Sequence, residues 1–214
     1  MILADTRRTL PAVALAAAVG AGPALYYRHR LDVARHCPLT GLPARELWTY
    51  HAERLVRRDA GDVLVAFVDL NRFKQINDTH GHDVGDIVLQ LQANRLKTWT
   101  RGRGVAGRLA GDEFAAAVRI HRGGAEYALE RLAGFLAAPL HHQGTQIPLS
   151  ASIGACRPAG GSLAAALHTA DVAMYEAKHG ELTAPRWTLA DQVGPEPTPS
   201  PRRRVRHFGP EAVR

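Results

Sequence analysis

Two adjacent acids, Asp112 and Glu113, lie in the stretch "GRLAGDEFAAAVRI" between two short apolar runs. Neighbouring carboxylates repel, so a turn gains from them only if a cation or a donor meets them. A third acid, Asp69, closes the run "DVLVAFVDL". A continuous apolar run of that length reads as a buried strand, and an acid at its end is a sharper signal than an acid in a loop. If this strand neighbours the hairpin that carries Asp112 and Glu113, three carboxylates converge. An all-oxygen donor set suits Mg²⁺, which keeps several waters and shares substrate phosphates. The plainer alternative is a set of surface acids paired with arginine.

The segment after Asp69, "NRFKQINDTHGHDVGD", adds further chemistry. Lys74, on a short helical turn, can meet a phosphate as a point charge. Asn77 and Asp86 supply an amide and a carboxylate, and a carboxylate accepts from the N1–H and 2-amino group of a guanine edge. The same residues also suit a turn and a helix cap. His80 and His82 flank a glycine, a poor spacing for one helical face, and zinc is not expected there.

These residues need strands and helices to hold them. "ARELWTYHAERLVRRDAG", "HDVGDIVLQLQANRLKTWTR", "AEYALERLAGFLAA" and "SLAAALHTADVAMYEAKHG" have helical periodicity. "VAGRLAGDEFAAAVRI" reads as two strands about a tight turn. "HHQGTQIPLSASIGACRP" reads as a hairpin with Gly144 near its tip, and "RWTL" as a last edge strand. The expected fold class is α+β, a central mostly antiparallel sheet flanked by helices.

The chain has 214 residues and a formal charge of +7. Residues 1–35 hold five Arg and two Asp, 190–214 five Arg and three acids, and 36–189 only 17 basic against 15 acidic residues. The excess therefore lies largely in the flanks and no aromatic-basic stripe appears, which argues against a nucleic-acid partner. Cys37 and Cys156 are far apart and in no metal-ligand spacing, which suggests a reducing compartment.

Thr9 to Tyr27 is 19 residues without a charge, bracketed by Arg7 and Arg8 and by Arg28 and Arg30. That is close to the roughly 20 residues a bilayer span needs. Residues 1–36 are thus expected to be a single membrane anchor with a short linker, with a cleaved signal peptide or a soluble segment as alternatives. Arg28, Arg30 and Arg35 favour a cytoplasmic location, at the cell membrane, for the domain beyond them. Residues 190–214 are Pro- and Arg-rich and are expected to be a disordered tail.

Taken together, the motifs between Cys37 and Gly180 resemble the diguanylate cyclase (GGDEF) domain family. "CPLTGLPAR" is similar to its DxLTGLxNR opening, "FVDLNRFKQINDTHGHDVGD" to its DxDxFKxINDxxGHxxGD stretch, and "RLAGDEF" to its signature loop. "SASIGA" and "ADVAMYEAKHG" are similar to its last strand and helix. The resemblance implies a palm-like fold similar to adenylyl cyclase over residues 37–189. It implies condensation of two GTP to cyclic di-GMP with release of two pyrophosphates, in a homodimer, with two Mg²⁺ (or Mn²⁺) per half-site. Carried over by position, Asp69, the Leu70 carbonyl, Asp112 and Glu113 hold metal, and Asp112 helps deprotonate the 3′-hydroxyl. Lys74, Lys178 and the backbone near Arg72 and Phe73 hold phosphates, Asn77 and Asp86 read guanine, and Gly111 lets the backbone approach the nucleotide.

The chain departs from the pattern in several places. Ala110 stands for the first signature Gly, Ala44 for an Asn, and Asn71 for the second Asp of DxD. Cys37 replaces the Asp that in the family pairs with the Arg two residues before the signature, here Arg108, and so leaves Arg108 without that partner. The helix end "AKHGELT" lacks one residue and a phosphate-contacting Arg. The family's inhibitory RxxD motif keeps Arg101 but has Gly104 in place of its Asp, so the usual product inhibition is not expected. The second reading is therefore a catalytically degenerate domain that acts as a GTP-binding or protein-interaction module. The sequence contains no recognisable sensor domain, so the upstream input is unknown.

Overall fold

The computed structural model describes residues 35–158, 162–179 and 187–190. The expected anchor over 9–27, the tail from 191 and the altered helix end at 180–186 lie outside the described residues. Among the described residues no helix is long and apolar enough to cross a membrane.

In chain order the elements are α1 (Arg45–Asp59), β1 (Val63–Leu70), α2 (Phe73–His80), α3 (His82–Thr100), β2 (Gly104–Ala110), β3 (Glu113–Arg119), α4 (Ala125–Ala137), β4 (Leu140–His142), β5 (Thr145–Ile147), β6 (Ala151–Cys156), α5 (Leu163–His179) and β7 (Trp187–Ala190). The main sheet has the order β2-β3-β1-β6-β7. β1 runs antiparallel to both β3 and β6, β2 antiparallel to β3, and the edge strand β7 parallel to β6. This is the α+β arrangement expected. The reading of 141–158 as one hairpin is corrected. β4 and β5 form a separate two-stranded sheet about Gly144, and β6 leaves it to join the main sheet. Pro148, which cannot donate to a ladder, lies in the break.

β1 is buried along nearly its whole length because helices cover both faces of the sheet. Its side chains alternate between two cores. Leu64, Ala66, Val68 and Leu70 pack with Leu89, Leu96, Trp99, Leu129 and Leu132 of α3 and α4. Val63, Val65 and Phe67 pack with Trp48, Ala52 and Val56 of α1 and with Ala166, Ala170 and Met174 of α5. The spacing of Trp48, Ala52 and Val56 puts them on one stripe of α1, whose ends carry Glu46 at the start and Arg57 and Arg58 at the finish, the signs the helix dipole favours. By the same alternation Asp69 belongs to the face covered by α1 and α5.

Two contacts set the helix distances. A Cβ on Gly154 in β6 would come 1.9 Å from the Ala170 carbonyl oxygen, so α5 lies against the bare backbone of that strand. A Cβ on Gly107 would come 2.6 Å from Trp48, whose ring therefore occupies the space above β2.

Candidate functional site

Asp69 is paired with Glu113 across β1 and β3, and with Ser152 across β1 and β6. Residues directly opposite on antiparallel strands point to the same face, with Cβ atoms about 4.5–5.5 Å apart. Two carboxylates therefore share one end of the sheet, on the α5 side, and Glu113 is only 7% exposed. Lys178, in the last turn of α5, places Nζ 2.5 Å from Asp69 Oδ1.

The turn that carries Asp112 is shaped by a register shift in β2. Arg108 pairs with Phe114 but Ala110 pairs with Glu113, which leaves Leu109 as the extra residue of a bulge. Gly111 comes next with φ +41°, a conformation that costs glycine little. The Asp112 carbonyl then accepts from the Leu70 N–H at 3.3 Å, which fixes the turn against the end of β1.

On the other side of Leu70, the Asn71 N–H donates to the Ser150 carbonyl at 2.9 Å, and Ser152 Oγ bonds Asn71 Oδ1 at 2.9 Å. Asn71 thus serves as a strut between β1 and β6. Arg72 has φ 58° and ψ 25°, the left-handed region, uncommon outside glycine. This bend starts α2 immediately beyond the strand end, with Phe73 and Lys74 in its first turn. Lys74 is exposed there, and Asp86 is exposed in the first part of α3. Gly85 is buried, and a Cβ on it would lie 1.8 Å from Asn77 Oδ1. The missing side chain makes room for the Asn77 amide against α3, next to Asp86. Asn77 Oδ1 is itself buried without a hydrogen-bond partner in the structure, a cost that a donor from a bound molecule would remove.

The structure thus brings together Asp69, Glu113, Lys178 and the Gly111–Asp112 turn, and separately Asn77, Gly85 and Asp86. Among the described residues no group of three or more His, Cys, Asp and Glu side chains is gathered closely enough to hold one metal ion. The donor chemistry nevertheless fits a hard cation, since Asp69, Glu113 and the neighbouring Asp112 offer oxygen only. The contributions of Ser152 and Gly85 are not evident in the sequence. A conspicuous glycine in "HDVGD", one residue before Asp86, is the available signal for the second.

The sequence leaves Arg108 without its usual partner, and the structure corrects this expectation. Its Nη1 donates to Cys37 Sγ at 3.2 Å and its Nε to the Gly111 carbonyl at 2.8 Å. Burial pushes the Cys37 thiol up, but hydrogen bonds from the Thr40 side chain and backbone, from Arg108 and from the Leu39 backbone outweigh it and hold the thiol below its ordinary value. Burial raises the Cys156 thiol, with a smaller opposing effect from Thr169.

A cavity of about 600 Å³ lies away from these carboxylates, lined by Trp99, Arg103, Tyr127, Arg131 and Phe135 among others. The Arg101–Gly104 segment borders it through Arg103, whose Nη2 bonds the Trp99 carbonyl at 2.6 Å. Gly104 pairs with Val118 in β3, and a Cβ on it would come 2.0 Å from the Ala117 carbonyl oxygen.

The fold, the paired carboxylates and the acidic turn place the chain in a defined class, and comparison with known proteins agrees. The family model described as "Diguanylate cyclase, GGDEF domain" matches residues 34–182. The chain belongs to that family. It is 45% identical over 152 residues to the "Uncharacterized 19.3 kDa protein in repSA 5'region" of Streptomyces ambofaciens, a match covering 70% of this chain and 81% of that one. It is 37% identical over 149 residues to the diguanylate cyclase DgcP of Pseudomonas aeruginosa, covering 66% of this chain but only 22% of DgcP. Among solved structures, the GGDEF domain of TpbB (YfiN) from Pseudomonas aeruginosa is similar with a TM-score of 0.63 and 33% identity, covering 71% of this chain and 98% of that one. The coiled coil and GGDEF domain of DgcB from Caulobacter crescentus, solved with c-di-GMP, gives a TM-score of 0.72 at 22% identity, covering 85% of this chain and 100% of that one, a likeness of fold.

Proposed function

We propose that this chain is a diguanylate cyclase that joins two GTP molecules into cyclic di-GMP and releases two pyrophosphates. The observation that carries the reading is the pairing of Asp69 with Glu113 at a strand end, one residue from the Gly111–Asp112 turn, with Lys178 at the Asp69 carboxylate.

In each of the two bond-forming steps the 3′-oxygen of one GTP bonds to the α-phosphorus of the other, and the bond from that phosphorus to the bridging oxygen of pyrophosphate breaks. The 3′-hydroxyl proton must leave, and Asp112, on the turn at the strand end, would accept it. Asp69, Glu113, the Leu70 carbonyl and Asp112 would hold the divalent cation, Mg²⁺ or Mn²⁺. Bound there, it supplies neutralisation of the charge that develops on the α-phosphate.

Lys178 and Lys74 would balance phosphate charge from opposite sides, one from α5 and one from α2. In the structure Lys178 is ion-paired with Asp69, so the lysine proposed for phosphate and the carboxylate proposed for the cation lie side by side. Asn77 and Asp86 would read the guanine edge. The unpartnered Asn77 Oδ1 supports that role, because a donor on the base satisfies it. One such site holds one GTP, and two copies of the chain facing each other supply both nucleotides, so positioning and electrostatics do most of the work.

The test is turnover by the full chain with GTP and Mg²⁺ at high protein concentration, with cyclic di-GMP and pyrophosphate followed by chromatography and Asp112→Ala run beside it. Product from the parent and none from the variant is expected. Tight GTP binding without product would sink the cyclase reading and favour the regulatory module.

A further inference from the structure

Residues 35–44 contain no long regular element, yet they are tied to β2 at several points. The Arg108 N–H donates to the Pro43 carbonyl at 3.0 Å, and Ala44 bridges Arg108 in parallel fashion. Within the segment, the Cys37 N–H donates to the Leu42 carbonyl and the Cys37 carbonyl accepts from the Gly41 N–H, both at 2.8 Å. These bonds fix the main chain at Cys37 and so the position from which its side chain departs.

The Arg108 side chain spans the gap between this loop and the acidic turn. Its planar fork presents donors in fixed directions, and it uses two of them at once, Nη1 toward Cys37 Sγ and Nε toward the Gly111 carbonyl. The carbonyl it grips belongs to the residue just before Asp112 and Glu113. Gly111 comes after the bulge at Leu109 and has a left-handed φ, so few ladder bonds restrain it and a side-chain bond to its carbonyl matters more.

We infer that Cys37 is a positioning residue for the acidic turn: through Arg108, its sulfur holds the Gly111 carbonyl and with it the backbone that delivers Asp112 and Glu113. A neutral thiol accepts hydrogen bonds weakly, whereas a thiolate beside a guanidinium makes a charge-assisted contact. The bonds from Thr40, Arg108 and Leu39 favour the ionised sulfur. An alkyl group at position 37 offers Arg108 nothing, and a carboxylate offers it a full ion pair. The consequence for catalysis rests on the cyclase reading, whereas the geometric claim is independent of it.

The experiment uses the full chain and compares Cys37→Ala, Cys37→Asp and Arg108→Lys with the parent. Hydrogen exchange of the amides from 108 to 113, kcat and KM for GTP, and the melting temperature are measured on each. In Cys37→Ala and Arg108→Lys, exchange in that segment rises several-fold and kcat falls about 10-fold or more, the scale of a misplaced catalytic group. KM changes less, and Cys37→Asp restores both readouts toward the parent. Unchanged exchange in both Cys37→Ala and Arg108→Lys overturns the inference, as does a loss that Cys37→Asp fails to restore. Should Cys37→Ala fail to fold, Arg108→Lys carries the same readout. A parent that makes no cyclic di-GMP, with the exchange pattern as expected, refutes the cyclase reading and leaves the positioning role standing.

Discussion

Asp69 and Glu113 stand directly opposite one another on β1 and β3, and Lys178 reaches Asp69 from α5, 109 residues along the chain. A strand pair has no structural need for opposed carboxylates, since like charges in that register are unfavourable by up to about 1 kcal/mol. Glu113→Gln keeps the size and removes a charge. Its melting temperature should stay close to the parent's, while cyclic di-GMP production falls at least about 100-fold, as when a transition-state electrostatic contact is lost. The parent should also gain melting temperature on addition of GTP with Mg²⁺, and the variant should gain less. Thermal melts beside product chromatography check both points. A variant with near-parental turnover would remove Glu113 from the site.

Gly85 is small because Asn77 needs its space. In Gly85→Ala the added methyl would meet Asn77 Oδ1 at 1.8 Å, and the amide must swing away. A site that hydrogen-bonds a base through a buried amide loses affinity when the amide is displaced. KM for GTP, or the Kd of a non-hydrolysable analogue, should rise about 10-fold or more, equivalent to about 1.4 kcal/mol, with kcat affected less. An unchanged KM would dissociate Asn77 from nucleotide recognition.

The strands and the acidic turn were legible because their signals are local. The run Val63–Val68 is uniformly apolar since both faces of β1 are covered, and the glycine and acids of the turn interrupt two alanine-rich strands. What was not legible depends on packing between distant segments. Lys178 meets Asp69 only because α5 lies on β6, and Cys37 meets Arg108 across 71 residues. The replacement of an acid by Cys37 looks like a lost partner, since sequence shows residue type and not the hydrogen bonds that favour a thiolate. The bulge at Leu109 leaves no trace in residue type, and the break between β5 and β6 is marked only by Pro148.

Gly154 controls how closely α5 approaches the sheet. A methyl there would face the Ala170 carbonyl oxygen at 1.9 Å and the Met174 nitrogen at 2.1 Å, both backbone atoms that no rotamer change can move. Gly154→Ala should cost about 2–3 kcal/mol through overpacking. At about 2–4 °C per kcal/mol for a chain of this size, the melting temperature falls by about 5–10 °C. Because the displaced helix carries Lys178, turnover should drop in the surviving folded fraction as well. A melting temperature equal to the parent's would show that the helix and strand are not in this close contact.

The two thiols should differ sharply in reactivity. The reactive species is the thiolate. Cys37 is held below its ordinary value, so its ionised form is already populated at lower pH, whereas burial holds Cys156 above its ordinary value. Across about pH 6 to 10, iodoacetamide should label Cys37 with a midpoint below that of the same thiol in the unfolded chain, and label Cys156 slowly throughout. The sign for stability comes from the same direction. A depressed Cys37 value favours folding above the unfolded thiol's pKa, and that contribution disappears as pH falls through the folded one. Peptide mapping of the labelled protein reads both sites, and equal rates would contradict the hydrogen bonding described for Cys37.

Gly104 stands where the family's inhibitory motif has an acid, and the structure shows why replacement there is not neutral. Gly104 begins the edge strand β2 opposite Val118, and a Cβ would meet the Ala117 carbonyl oxygen at 2.0 Å and the Val118 Cα at 2.7 Å. An aspartate can be accommodated only if the start of β2 peels away from β3. The adjoining bond between the Arg119 N–H and the Arg103 carbonyl, 2.9 Å long, lies in the path of that movement. Gly104→Asp should therefore lower stability by about 1–3 kcal/mol and should not create inhibition by cyclic di-GMP, even though Arg101 is retained. Dose–response curves with added cyclic di-GMP, taken beside thermal melts, decide the matter. Inhibition at unchanged melting temperature would mean that the β2–β3 spacing at Gly104 is looser than the structure gives.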